Sequence, residues 1–228
     1  MQRFLLLLLL IIVPLGNAPA GGANPVNSES HDPCRQLYHE LKLADVVQFD
    51  IFRKACAGYE KIEKRRGNIL TLVDFTKPST DERMYVIDMA RRKLLFTSHV
   101  SHGRNSGENY ATSFSNENGS HKSSLGFYLT GDTYQGKNGY SLLLHGLEKG
   151  INDKARERAV VIHAAEYANP SVIKGSGRLG RSFGCPALPQ AVNDAIINTI
   201  KGGTVLFIYA DDANYLSQSK YISRGAIG

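Results

Sequence analysis

The segment AVVIHAAEYANPSVIKGSGRLGRSFGCPAL (residues 159–188) joins an apolar, β-type run to a glycine-rich turn that holds one cysteine. In that turn Gly184 can adopt backbone angles closed to other residues, and Pro186 stiffens the chain after Cys185. Such a turn can present a sulfur atom to a reactant, although an isolated cysteine is more often a small buried hydrophobe. The residues around Cys185 are therefore needed to distinguish a reactive thiol from a buried structural cysteine.

A cysteine nucleophile needs a base to generate the thiolate and donors to hold an oxyanion. His163 ends the apolar run 22 positions before Cys185, as expected of a residue carried to the rim of a buried strand. A histidine satisfied within the core would give the same pattern, so the pair is a recognised but unspecific catalytic signal. Because Pro186 has no N–H, the backbone amides of Gly184 and Cys185 are the nearest candidates for oxyanion donors.

Short β-type runs separated by turn residues extend on both sides of this segment. The runs are Ile69–Phe75, Met84–Met89, Lys93–Val100, Ser124–Thr130, Tyr140–Leu147, Ala159–Ala165 and Gly203–Ala210. Because strands and helices do not alternate regularly, a doubly wound parallel sheet is disfavoured. The pattern predicts a mainly β, α+β fold with a mostly antiparallel core and appended helices.

Helical patterns flank the β-type runs. Asp32-Pro33 has the form of a helix start, and a second N-terminal helix carries apolar residues at helical spacing: Phe52, Cys56, Tyr59 and Ile62. A late helix is predicted from Pro189, in its first turn, to the Gly202-Gly203 pair that ends it. Its apolar stripe consists of Val192, Ala195, Ile196 and Ile200.

The first twenty residues combine Arg3, an apolar run from Phe4 to Leu15 and a small-x-small site ending at Ala20, the pattern of a secretory signal peptide. The apolar run is too short to span a membrane, and no integral membrane segment is expected after cleavage. The predicted organisation is a signal peptide (1–20), a flexible lead-in (21–31), a helical segment packed on the core (32–66), a β-rich domain (67–212) and a C-terminal tail (213–228).

The formal net charge of +6, with basic and acidic residues interspersed, favours an anionic envelope polymer over nucleic acid as a partner, although charge alone does not choose. Three cysteines are an odd number in an exported chain, where oxidising surroundings favour one pair. If the N-terminal helices form an antiparallel hairpin, Cys34 and Cys56 lie at similar positions along the two helix axes. A Cys34–Cys56 disulfide is then predicted, and two separately buried thiols are the alternative.

The stretch SHGRNSGENYATSFSNENGSHKSS (residues 101–124) is long, polar and without periodicity. A loop of this length inside a compact domain is usually functional or disordered, and its composition suits the wall of a polar site. His102, Asn105 and Ser106 are candidates to contact a substrate. A hydrogen-bonded loop corner is the alternative for the same residues.

The stretch VVIHAAEY, followed by GRLGRSFGCPAL, resembles the active-site region of the murein L,D-transpeptidase catalytic-domain family. The similarity is to the branch in which Gly-Arg-Ser-aromatic-Gly-Cys-Pro follows the histidine. Further stretches resemble that branch in the same order: LVDFTKPSTDERMYVIDM, SHGRNSG, SFSNENGSHKSSLGFYLTG, YSLLLHGLEKGIND and GGTVLFIY. The resemblance covers roughly residues 50–212.

This resemblance implies an L,D-transpeptidase-like β core in which Cys185 is the nucleophile, His163 the base, and Ser182 and Gly184 parts of the cysteine loop. In the family the cysteine attacks the carbonyl of the L-centred third residue of a peptidoglycan stem peptide and releases the terminal D-residue. The thioester then passes to an amine on a neighbouring stem, forming a 3→3 cross-link, or to water. The resemblance implies stem peptides as donor and acceptor, and neither a metal nor an organic cofactor.

Two departures from the wider superfamily pattern concern the cysteine loop, where Phe183 replaces a histidine and Ala187 an arginine. The missing imidazole increases the dependence on His163. Arg181 or Arg178 could bind a substrate carboxylate instead of the missing arginine, because a guanidinium matches a carboxylate with two parallel donors. Alternatively, both arginines face solvent or brace the loop.

Other histidines fit the expected chemistry less well. His145 is a rival base, but its separation from Cys185 lies outside the family pattern. His99, His102 and His121 have no cysteine or histidine partner at metal-ligand spacing, so no zinc site is predicted.

Three functions stay open. The first is an exported, periplasmic or envelope transpeptidase, and the second an L,D-carboxypeptidase or wall peptidase that hydrolyses the same thioester. The third is a noncatalytic peptidoglycan-binding module, which the intact Cys–His pair disfavours. The acceptor and the oligomeric state are not determined by the sequence.

Overall fold

The computed structural model describes residues 32–222. The signal peptide predicted for residues 1–20, the lead-in at 21–31 and the end of the predicted tail at 223–228 lie outside the described residues. Within residues 32–222, no helix has both the length and the apolar composition that crossing a bilayer requires.

An eight-stranded sheet forms the centre of the fold. Its strands are β1 (Ile69–Asp74), β2 (Met84–Asp88), β3 (Lys93–Ser98), β4 (Gly126–Gly136), β5 (Gly139–Gly146), β6 (Val161–Ala164), β7 (Ala187–Leu188) and β8 (Val205–Tyr209). They lie in the order β3-β2-β1-β8-β4-β5-β6-β7. The predicted mainly β, α+β fold is confirmed.

Most neighbouring strands run antiparallel, as predicted. Parallel pairing occurs between β1 and β8 and between β6 and β7. The β6–β7 pairing places Ala187 beside His163 and Leu188 beside Ala164. After β6 the chain therefore crosses over and returns parallel to it, so that the turn with Cys185 leads into a strand beside His163.

Five α-helices accompany the sheet within the described part of the chain. They are α1 (Pro33–Glu40), α2 (Phe49–Lys61), α3 (Ile173–Ser176), α4 (Gln190–Ile200) and α5 (Ala213–Gln218). Buried side chains of α1 and α2, such as Leu37 and Phe52, belong to the same apolar core as Phe207 of β8. Gly58 lets α2 come close to the sheet, because a Cβ there would lie 2.0 Å from the Phe127 ring.

The two N-terminal cysteines lie on helices that contact each other, Cys34 on α1 and Cys56 on α2. Cys34 is half-buried and Cys56 is buried against the core. The disulfide between them stays a prediction, as do the segment boundaries at residues 66 and 212.

Helix α4 follows Pro189 directly and ends before Gly202-Gly203, both of which have positive φ, 85° and 102°. Its buried face differs from the predicted stripe at one position, since Ala195 is exposed and Ile197 is buried. At 3.6 residues per turn, Ile197 shares a face with Asn193, Ile196 and Ile200. Helix α4 contacts β5 and β6, and Asn193 of this face donates to the Tyr140 carbonyl of β5.

The predicted C-terminal tail is anchored to the core in its described part. Glu148 is buried and accepts hydrogen bonds from the Phe127 N–H at 2.7 Å, from the Tyr215 hydroxyl at 3.3 Å and from the Ser219 hydroxyl. Tyr215 belongs to α5, and Ser219 follows that helix. Burial raises the pKa of the Glu148 carboxyl above its usual range.

We expect Glu148 to make stability depend on pH. Because its folded-state pKa is raised, its contribution is fully present below the unfolded pKa of about 4.3 and is lost as pH rises through the folded value. Urea unfolding of the wild type and of Glu148→Gln across this range should show the stability of the wild type, relative to the variant, falling as pH rises.

Exposed Glu117 provides the control, since Glu117→Gln should leave the pH dependence of unfolding as in the wild type. If the difference between wild type and Glu148→Gln were constant or increased with pH, the assignment to Glu148 would be wrong.

Candidate active site

Cys185 lies in the loop between α3 and β7, two residues before the strand that pairs with β6. Its side chain is half-buried and its thiol is free. The Val161 N–H donates to Sγ at 3.5 Å, and the thiol donates to the Ala159 carbonyl oxygen at 3.6 Å. These contacts hold the sulfur against the beginning of the strand that carries His163.

Ser182 closes the turn around the cysteine. Its Oγ accepts a hydrogen bond from the Gly184 N–H at 3.0 Å and donates to the Cys185 carbonyl at 2.6 Å. Gly184 has a φ of 126°, and a Cβ there would lie 2.8 Å from the Lys122 carbonyl oxygen, so glycine is required. The Gly184 amide, one of the two candidate oxyanion donors, thus donates to Ser182 Oγ, and its role toward an oxyanion stays a prediction. The Cys185 amide stays a candidate.

His163 is buried on β6, beside Ala187 of β7 and Ser141 of β5. Its Nδ1 lies 2.8 Å from the Ala164 carbonyl oxygen. Because a carbonyl only accepts, Nδ1 carries the proton and the lone pair of the neutral imidazole is on Nε2. The imidazole is therefore held in the tautomer that a general base at Nε2 requires.

The resting site favours a neutral thiol and a neutral imidazole. Burial lowers the pKa of His163, although its hydrogen bond to Ala164 opposes this shift. Burial raises the pKa of the Cys185 thiol, and the Val161 N–H and the charge of Arg158 oppose this shift only in part. A preformed thiolate–imidazolium pair is therefore disfavoured in the resting protein.

Arg158 is a residue that the sequence analysis missed. Its guanidinium donates to the carbonyl oxygens of Lys122 at 2.7 Å and Ser115 at 2.8 Å. A Cβ at Gly184 would lie 3.4 Å from its Nη2, so the guanidinium borders the cysteine loop. The only sequence signal was a cation just before the strand that carries His163.

His102 and Ser106, two of the predicted substrate contacts, are buried and hydrogen-bonded within the protein. The side chain of fully buried Arg83 donates to His102 Nδ1 at 2.8 Å, and His102 Nε2 then donates to the Gly107 carbonyl at 3.3 Å. Burial and the Arg83 charge lower the pKa of His102 to about 4. Ser106 is also fully buried, and its Oγ accepts from the Ser123 N–H at 2.9 Å. This burial favours the alternative of a hydrogen-bonded loop corner, and contact of either residue with a substrate stays a prediction.

The remaining candidates for substrate contact lie nearer the surface. Asn105 is exposed, and its side chain donates to the Ser120 carbonyl at 2.9 Å. Arg178 and Arg181 both contact the carboxylate of Glu108. These three residues stay candidates.

Phe183 of the cysteine loop and the remaining histidines have separate surroundings. Phe183 is 65% exposed, and it lies between the guanidinium of Arg104, 4.8 Å from its ring centroid, and the ring of His121, at 4.6 Å. His145, the rival base, lies over Gly131 of β4, where a Cβ would come 2.6 Å from its Nε2. Within residues 32–222, no three His, Cys, Asp or Glu side chains are grouped so that they could hold a metal ion.

A model of the L,D-transpeptidase catalytic domain matches residues 43–209, which include Cys185, His163 and every strand of the sheet. The chain belongs to the L,D-transpeptidase catalytic-domain family. No curated protein gives a significant match.

Solved structures of similar proteins come from several bacteria. An L,D-transpeptidase from Mycobacterium smegmatis is 12% identical, with 63% of this chain and 59% of that chain covered and a TM-score of 0.39. The helical cell shape determining protein Pgp2 from Campylobacter jejuni is 15% identical, with 70% and 57% covered and a TM-score of 0.42. Bd1075 from Bdellovibrio bacteriovorus is 16% identical, with 63% and 48% covered and a TM-score of 0.40. The chain thus spans about three fifths or less of the length of these proteins.

The electrostatics predict how the Cys185 thiol reacts with iodoacetamide. Because burial raises its pKa, alkylation should be slow at neutral pH and accelerate as pH rises beyond the usual thiol range. Arg158→Gln should shift this profile to still higher pH, since it removes a charge that favours the thiolate. Peptide mapping by mass spectrometry would follow Cys185 separately from the other two cysteines.

Arg156, exposed and two residues away, offers a matched control, because Arg156→Gln removes the same charge from outside the loop. A rate plateau extending to acidic pH would reveal a stable thiolate and contradict the neutral resting pair.

Proposed function

We propose that this protein is an exported cysteine acyltransferase that acts on peptidoglycan stem peptides. Membership of the L,D-transpeptidase catalytic-domain family supports the reaction class. The observation that carries the proposal is the position of the Cys185 sulfur, held by the beginning of β6, the strand that carries His163. The catalytic part corresponds to residues 67–212, on which the helical segment 32–66 packs.

In the proposed acylation step, His163 Nε2 accepts the thiol proton while the sulfur attacks the carbonyl carbon of the L-centred third residue. The new C–S bond leaves a tetrahedral oxyanion, for which the Gly184 and Cys185 amides are the candidate donors. When the intermediate collapses, the C–N bond to the terminal D-residue breaks. The imidazolium then protonates the departing amine, which leaves a thioester and a neutral His163.

In the second step, an amine of a neighbouring stem attacks the thioester and gives its proton to His163. Collapse returns the proton to the sulfur and leaves a 3→3 amide cross-link. Arg158 contributes through its charge, which lies beside the loop and favours negative charge on the sulfur as the thiol is deprotonated or expelled. Neither step requires a cofactor.

Export is part of the proposal. Family members are named for an activity on wall peptides, and the N-terminal pattern of residues 1–20 is that of a secretory signal peptide. The donor and acceptor stems lie in the periplasm or cell envelope, where such a signal would deliver the mature chain.

The test is incubation with defined stem tetrapeptides, followed by mass analysis of protein and products. Cys185→Ala should abolish thioester formation, because it removes the attacking sulfur. His163→Ala should lower the acylation rate by about 10²–10⁴-fold, the usual contribution of a general base. His145→Ala is the matched control, since it removes an imidazole from the neighbouring strand β5 and should acylate at the wild-type rate.

The products separate the remaining functions. Cross-linked dimers that require an added acceptor stem support transpeptidation, whereas trimmed monomers alone would make the protein an L,D-carboxypeptidase. Binding to sacculi that Cys185→Ala leaves intact, without any thioester in the wild type, would indicate a noncatalytic module and refute the proposal.

A further inference from the structure

Arg178 and Arg181 hold a carboxylate that belongs to the protein itself. Arg181 Nη1 lies 2.7 Å from Glu108 Oε1, and Arg178 Nε lies 3.0 Å from Glu108 Oε2. Each oxygen of the carboxylate therefore meets a different guanidinium. This arrangement satisfies a whole carboxylate group and not only one of its oxygens.

The two sides of this contact differ in how firmly they are held. Arg181 Nη1 also donates to the carbonyl oxygens of Arg104 at 3.1 Å and Gly107 at 3.0 Å, and Arg178 Nη1 donates to that of Leu179 at 2.8 Å. The arginine side chains are only 21% and 26% exposed, whereas that of Glu108 is 73% exposed. The guanidinium groups are thus fixed by backbone, and the carboxylate lies on the solvent side.

The position of these arginines relative to Cys185 makes them relevant to the proposed reaction. They precede the cysteine by seven and four residues in the same loop. The segment 102–108, which ends at Glu108, begins alongside this loop. There the Ser182 N–H donates to the His102 carbonyl at 2.9 Å, and Gly103 pairs with Ser182. Four residues span at most about 14 Å of chain, so the Arg181 backbone lies within the reach of an extended tetrapeptide bound at the sulfur.

We propose that Glu108 is an internal occupant of a carboxylate-binding site, and that a carboxylate of the stem peptide displaces it from Arg178 and Arg181. The inference rests on the proposed function, because it takes the stem peptide as the ligand. Displacement is feasible because the Glu108 carboxylate is exposed to solvent, and an ion pair with an exposed partner contributes little to stability. The entering group is either the terminal carboxylate or a side-chain carboxylate of the stem.

The test measures binding of stem tetrapeptides by calorimetry in a Cys185→Ala background, which prevents turnover. Adding Glu108→Gln should tighten the dissociation constant by about two- to fivefold, the size expected when an exposed competing ion pair is removed. Adding Arg181→Ala should weaken binding, because the clamp loses one donor group. Glu60→Gln removes an exposed carboxylate on α2 and should leave the constant unchanged.

Amidated peptides identify the source of the entering carboxylate. The gain from Glu108→Gln should vanish with whichever peptide lacks the carboxylate that enters, either the one amidated at its terminus or the one amidated on a side chain. If Glu108 only braces the loop, Glu108→Gln will lower the melting temperature and weaken or not change binding, which overturns the inference alone. If no stem peptide binds any variant, the proposed function fails and the inference fails with it.

Discussion

The parallel pairing of β6 with β7 is the constraint on which the site depends, because it sets the cysteine loop beside the histidine strand. Strand β7 is only two residues long and needs support from its neighbours. That support is backbone hydrogen bonding, from the Ser101 N–H to the Ala187 carbonyl at 2.9 Å and from the Ala165 N–H to the Leu188 carbonyl at 3.0 Å. A shift of one residue in this register would turn every side chain of β7 to the opposite face.

Burial gives the site its order and also determines its charge state. The environment that holds His163 and Cys185 in place disfavours charge on either of them, which is why the neutral pair is the resting form. The positive charge of Arg158 opposes this effect in part, because it favours the thiolate form of Cys185. The guanidinium is held in place by carbonyl oxygens of the polar loop at residues 101–124. In the same loop, His102 is hydrogen-bonded to the buried side chain of Arg83, which also donates to a backbone carbonyl. The two side chains form a buried polar pair whose hydrogen bonds are satisfied.

Local sequence patterns were sufficient for most of the fold, because each longer strand has its own apolar run and is bounded by turn residues. The same patterns could not reveal β7, which is too short to show a period. Nor could they separate buried from exposed polar residues in the 101–124 stretch. His102 is buried by Arg83, 19 residues away, and Ser106 by Ser123, 17 residues away, so the decisive contacts are non-local. The position of Arg158 beside the cysteine loop could not be predicted for the same reason, since its hydrogen-bond partners lie more than 30 residues earlier in the chain.

The sulfur of Cys185 is attached to the sheet through the backbone of β6, and this gives the thiol a second use for the experimenter. Any local opening of the sheet edge would withdraw the Val161 N–H and admit water to the sulfur together. Because the half-buried thiol also reacts while the edge is closed, the increase in its labelling rate above that closed-state rate, at fixed pH, reports opening of the edge. Comparing that rate with global unfolding would show whether the edge opens as an independent unit or only with the whole domain.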